Sequence, residues 1–155
     1  HFVPANLVQM FHRAIEATTT TRVLSAIFDD AKRFQVHPPL PSHTDLGDEG
    51  AANHTRLKTE QGTAHVFCWG RSPTTSAFPA LHPARQTLEA SEAVARCLEL
   101  KADLPVFCQQ DPRGIDQGAF HSDVLMVGHD DFLMLHELAL RNHTQVLDDL
   151  RRKLG

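Results

Sequence analysis

The chain has 155 residues, and its composition of 41% apolar and 22% charged residues is that of a globular protein with enough length for one domain and a real core. A formal net charge of −4, with cations scattered among acids, supplies no basic stripe for phosphates, so nucleic acid is not an expected partner. No apolar run nears the roughly 18 residues of a membrane span and no charged-then-apolar leader opens the chain, so no membrane is expected. Three cysteines, an odd number without paired spacing, fit a reducing, cytoplasmic compartment. The start on His1 without an initiator Met, and the end on Gly155 straight after a helical pattern, suit a piece of something longer.

In chain order, His1 to Leu7 is short and apolar like a strand, and Thr20-Thr21 can cap a helix carrying Val23, Leu24, Ile27 and Phe28. Phe34 to His37 reads as a strand stopped by Pro38-Pro39, and the polar, Gly-containing stretch from Pro41 to Glu60 reads as a loop. His65 to Trp69 is strand-like; Arg71 to Pro83, rich in Ser, Thr and Pro, is a connection. Thr87 opens the clearest helix, with Leu88, Ala95, Leu98 and Leu100 among its apolar residues and Glu89 and Glu92 in early turns, where acids suit the dipole. Pro105 to Cys108 reads as a buried strand. Val124 to Val127 and Phe132 to Leu135 flank Gly128-His129-Asp130-Asp131 as a hairpin, and a last helix runs from about Asn142 to Lys153, with Val146, Leu147 and Leu150 on one face. Alternating strands and helices define an α/β chain whose units complete their cores against one another.

One pattern recurs within that order. The loop Gly47-Asp48-Glu49-Gly50-Ala51-Ala52-Asn53-His54 shares an Asp-x-Gly-Ala frame with Asp116-Gln117-Gly118-Ala119-Phe120-His121-Ser122-Asp123, sixty-eight positions later, which implies two copies of one supersecondary unit. The first copy places the carboxylate of Glu49 before its Gly; the second places the imidazole of His121 and the carboxylate of Asp123 after its Gly. Such a set can hold a cation and move protons. His129-Asp130-Asp131 and His136-Glu137 lack a recognised metal-ligand spacing, so no metal is expected, and no Gly-Lys-Ser/Thr forms a phosphate loop.

Gly47 to His54, Pro83 to Ser91, Gln109-Gln110-Asp111-Pro112 with Ile115 to Gly118, and Phe120 to Val124, preceded by Phe11-His12-Arg13, resemble N-succinylarginine dihydrolase in five ordered blocks. That family belongs to the pentein group of guanidine-modifying enzymes, so the resemblance implies a pentein-type α/β propeller of ββαβ modules. Here it would be an incomplete ring of roughly two to three modules, with residues 1–155 as one partial domain, since the family's chain is roughly three times longer.

The implied activity is hydrolysis of the guanidinium of N2-succinylarginine to N2-succinylornithine, ammonia and carbon dioxide in arginine catabolism, without a cofactor. A Cys thiolate attacks the guanidinium carbon and a His activates water to resolve the adduct. Carried over residue by residue, the catalytic Glu falls on Glu49 and the catalytic His on His121, while His12, Arg13, Arg85 and Asp123 become substrate contacts. Facing carboxylates, Glu49 and Asp123, suit a planar guanidinium, and the forks of Arg13 and Arg85 suit the succinyl carboxylates. His121 and Asp123, at i and i+2, share a face if the backbone there is extended. Arg85 is expected at the N-terminal approach of the helix opened by Thr87. The family's nucleophilic Cys belongs to a late Gly-rich block that these residues do not contain. Cys68, Cys97 and Cys108 read as small core hydrophobes, so the chain alone is expected to be inactive. The alternative is a non-catalytic module that binds succinylarginine-like ligands. Open ends of a partial ring would expose strand edges, and a homodimer is expected on that ground.

Overall fold

The computed structural model describes all residues, 1–155, as a mixed α/β arrangement with two small sheets and four α-helices, and the strands do not close into a barrel. The larger sheet has the order β1-β2-β3, built from β1 (His54–Lys58), β2 (Thr63–Trp69) and β3 (Pro105–Gln109). β1 pairs antiparallel to β2. The helix α2 (Leu88–Cys97) then carries the chain over to β3, which runs parallel to β2 with Cys68 opposite Cys108. Strand, strand, helix, strand is therefore one complete unit. A second begins with the antiparallel hairpin of β4 (Met126–His129) and β5 (Phe132–Leu135) and continues into α4 (His143–Leu154).

The core lies where α4 and the β4–β5 hairpin cover one face of the sheet. Period-two alternation turns Ala64, Val66 and Cys68 of β2 and Val106 and Cys108 of β3 inward, against Leu57, Met126, Leu140 and Leu150. Burial of this set is the main stabilising term, at roughly 25 cal/mol per Å² of apolar surface.

The first forty-odd residues are organised differently. His1 to Leu7 is not a strand: only Phe2 bridges, in parallel, to Val36, which is also all that remains of the expected strand from Phe34 to His37. Phe2, Phe28 and Phe34 cluster there, with Phe2 and Phe28 stacked 4.1 Å apart. The helix α1 spans Glu16–Ile27 and starts four residues before the expected Thr20 cap, because the turn from Met10 through Ala14 feeds straight into it. The Thr21 hydroxyl bonds back to the Ala17 carbonyl, so this hydroxyl serves the helix interior rather than its start.

The presumed loop from Pro41 to Glu60 holds a 3-10 turn at Thr44–Leu46, another at Gly50–Asn53, and all of β1. β1 escapes a hydrophobicity reading because His-Thr-Arg-Leu-Lys buries only Leu57. The helix α2 has Thr87 as its N-cap and ends before Leu98 and Leu100, with Glu99 in the left-handed region at φ 53°. A short helix, α3 (Pro112–Asp116), stands where only a loop was expected, started by Asp111 capping the Arg113 amide and Pro112 in the first turn.

The two Asp-x-Gly-Ala frames are only partly equivalent. Each has its Gly at positive φ, 74° at Gly50 and 95° at Gly118, and each leads through a 3-10 turn into an antiparallel hairpin. Asp48, however, is buried ahead of its turn, whereas Asp116 ends α3 and its carboxylate accepts the amides of Ala80, Leu81 and His82.

Candidate active site

Glu49 and His121 meet where the two Gly loops come together. Their side chains are 2.8 Å apart, His121 Nε2 to Glu49 Oε2, although seventy-two positions separate them in the chain. The Glu49 side chain is fully buried. Its backbone amide donates to Gln86 Oε1 at 2.7 Å, and Gln86 Nε2 in turn donates to Asp48 Oδ1 and Ser91 Oγ. Close contact between segments makes this possible. A Cβ on Gly47 would lie 2.8 Å from the Arg85 carbonyl oxygen, and the Thr87 amide donates to the Gly47 carbonyl, so residues 85–87 are laced against residues 47–49.

Two arginines converge on the same carboxylate oxygen. Arg13 Nη1 is 3.1 Å from Glu49 Oε2 and Arg85 Nη1 is 3.9 Å from it. Arg85 also lies over the Phe120 ring, 4.3 Å from its centroid, which fixes its guanidinium plane.

The neighbouring acids Asp48 and Glu49 are driven in opposite directions. Burial is the largest influence on Glu49 and acts to raise it. The hydrogen bond from His121 and the charges of His121, Arg13 and Arg85 outweigh burial and hold the carboxyl below the ordinary glutamate value. Asp48 has no cation beside it. Burial pushes it up, helped by the charge of Glu49 and opposed by the Gly50 amide and Gln86, and it lines a cavity of about 430 Å³ with His54, His65, Phe67 and Val94. Glu49 is thus the ionised partner of the imidazole at neutral pH.

Of the expected site residues, the structure brings together Glu49, His121, Arg13 and Arg85. It does not bring His12, which is exposed and makes no polar side-chain contact, or Asp123. His121 is extended at φ −127° and ψ 151°, but Asp123 lies in the 3-10 turn Ser122–Val124, so the shared-face argument fails there; Asp123 is exposed and forms no ion pair. Nor do Arg13 and Arg85 stand apart for carboxylates: both rest on Glu49. Sequence reasoning missed Gln86, Asn53, Ser122 and Phe120, all inside the recognised blocks, because a polar residue in a loop gives no sign that it will be buried.

Cys68 and Cys108 are core residues, as expected, whereas Cys97 in α2 is half-buried and outside the core. Cys68 and Cys108 are buried with their Sγ atoms 3.5 Å apart, and the hydrogen bond with Cys68, together with burial, pushes the Cys108 thiol well up. No sulfur touches Glu49 or His121. No group of three or more His, Cys, Asp and Glu side chains could hold a metal ion, and no helix is long and apolar enough to cross a membrane.

A buried carboxylate bonded to an imidazole, with two guanidinium forks on the same carboxylate, has the parts that acid–base chemistry needs. The whole chain, residues 1–155, matches the family model described as succinylarginine dihydrolase, and the chain belongs to that family. It is similar to the N-succinylarginine dihydrolase of Myxococcus xanthus, 57% identical over 157 residues that cover 100% of this chain and 36% of the relative. Two Shewanella proteins of the same name, from strain ANA-3 and from Shewanella putrefaciens, are each 52% identical over 158 residues, covering 99% of this chain and 36% of theirs. The chain spans about 36% of the length of these relatives.

Proposed function

We propose that this chain carries the acid–base half of a site that hydrolyses the guanidinium of N2-succinylarginine to N2-succinylornithine, two ammonia and carbon dioxide. The observation that carries the reading is the 2.8 Å contact between buried Glu49 and His121 beneath Arg13 and Arg85. In this reading substrate exchanges partners with the protein. The two carboxylates of the substrate, one on the succinyl group and one on the arginine α-carbon, take the forks of Arg13 and Arg85, which releases Glu49 to face the incoming guanidinium. His121, oriented by Glu49, accepts a proton from the attacking water that resolves the covalent adduct. The thiolate that forms the adduct comes from outside these residues, in keeping with the core positions of Cys68 and Cys108. His12 and Asp123, exposed at the rim, come into contact only with substrate present.

The same reading makes the chain an arc of a pentein ring. Its support is the strand, strand, helix, strand order of β1 to β3 and the second unit begun by β4, β5 and α4; the outer edges of β5 and of β3, the latter bonded only at its end where Gln109 accepts the Arg141 amide, suit a ring continued by further chain, or a homodimer. The free cysteines suit the cytoplasm.

The test is ammonia release from N2-succinylarginine. A polypeptide of the relatives' full length carrying this segment should turn over, and His121→Ala should lower its kcat by roughly two to four orders of magnitude. The 155-residue chain alone should release none. Near-normal kcat in the variant refutes the role of His121, and turnover by the short chain refutes the missing nucleophile.

A further inference from the structure

Glu49 and His121 sit on separate loops, and something must set the distance between them. Asn53 closes the 3-10 turn Gly50–Asn53 that follows Glu49 directly, while Ser122 follows His121 directly. Asn53 Oδ1 accepts the Ser122 amide at 2.9 Å, and Ser122 Oγ donates to the Ala52 carbonyl at 3.0 Å. Both side chains are 2% exposed. This is a two-bond clasp between the turn that carries the carboxylate and the turn that carries the imidazole. Asn53 Nδ2 has no partner at all, so the amide makes a single hydrogen bond, to the residue after His121. Burying a half-satisfied amide costs stability that a leucine of similar size would not. A residue kept there for packing alone would be apolar.

We propose that Asn53, with Ser122, is a positioning residue that fixes the separation of Glu49 and His121; its value for catalysis rests on the function proposed above. It acts by geometry. The clasp leaves only a few backbone torsions on either side of it, so a shift of about 1 Å at Ser122 is transmitted to His121, and a misplacement of that size weakens both the hydrogen bond and proton transfer.

The test reads the Glu49 carboxyl by carbon NMR titration in the 155-residue chain. In wild type it should titrate below the ordinary glutamate value, because His121 is bonded to it. Asn53→Leu should raise that titration, and Ser122→Ala, which keeps the amide bond but loses the hydroxyl, should raise it less. The carboxyl of Asp111, held low chiefly by its hydrogen bond with Arg113, is the internal control and should not move. A general loss of packing would lower the melting temperature without singling out Glu49. If Asn53→Leu does not fold, Ser122→Ala decides: a Glu49 titration unchanged from wild type in a folded variant overturns the clasp. If Glu49 moves as stated but His121→Ala leaves full-length turnover intact, the clasp stands and the catalytic reading falls.

Discussion

The polypeptide before Gly47 and the polypeptide after it both supply the site, but they are built to different standards. After Gly47, Glu49 and His121 rest on a sheet packed by α4 and on buried amides, Gln86 and Asn53, that satisfy neighbouring backbone groups. Before it, α1 buries only Ala17, and Phe11 and Ile15 beside Arg13 are 94% and 78% exposed. In the proposed reading this difference is physical: a proton-transfer pair needs fixed geometry, whereas a substrate-binding arginine needs only reach. Arg13 touches Glu49 from a turn with few buried neighbours; Arg85 touches it from a segment laced to Gly47 and stacked on Phe120. The two arginines are therefore not equivalent.

That contrast can be broken most sharply at Arg85, read in a protein of the relatives' full length. Arg85→Ala should weaken affinity for N2-succinylarginine by about ten- to a hundred-fold, the equivalent of roughly 1.5–3 kcal/mol for a charge-assisted contact. Arg85→Lys should raise KM with less effect on kcat, since the charge remains and the fork is lost, and plain arginine should be a poor substrate of wild type. Affinity unchanged by Arg85→Ala would reduce it to a partner of Glu49.

A second prediction concerns the cavity behind Asp48. His54 stacks on Phe67 at 4.1 Å, and burial, aided by His65, lowers its pKa to about 4. The folded state therefore prefers neutral His54, whose contribution is complete above the unfolded value near 6.5 and is lost as pH falls from there towards 4. The loss is at most roughly 3 kcal/mol, and His54→Phe, which keeps the stack, should flatten the dependence of melting temperature on pH over that window. An equally steep slope in the variant would assign it to other groups.

Gln86→Ala should destabilise the chain by about 1–3 kcal/mol, because the buried Glu49 amide loses its partner and Asp48 Oδ1 is left with the Gly50 amide alone. Chemical denaturation reads this directly; a change within error would show the packed region tolerates the loss. The smallest effect sharpens the regional contrast without any mutation. Amide exchange in α1 should be faster than in β2, because few buried contacts hold α1 closed, and equal protection would erase the distinction.

How much of this was legible in the sequence follows the same division. Strands that are short apolar runs, β2 and β3, and helices with a clear apolar stripe, α2 and α4, announce themselves. β1 does not, since one buried Leu57 in a run of polar residues carries no period. The start of α1 was hidden because Thr residues that favour caps were absorbed into its interior, where tertiary and turn geometry override propensity. At the site, Glu49, His121, Arg13 and Arg85 were legible through the ordered blocks. Their mutual contact was not, and neither was the displacement of Asp123, which depends on a 3-10 turn that begins one residue after an extended His121.

The central claim is that Glu49 and His121 act as one unit, and a double-mutant cycle on ammonia release from N2-succinylarginine, in a protein of the relatives' full length, tests it most directly. Residues that act together are strongly non-additive, so the Glu49→Gln, His121→Ala double variant should be little slower than the slower of the two single variants. Losses that simply multiply would mean that the 2.8 Å contact is not used as a pair in the reaction.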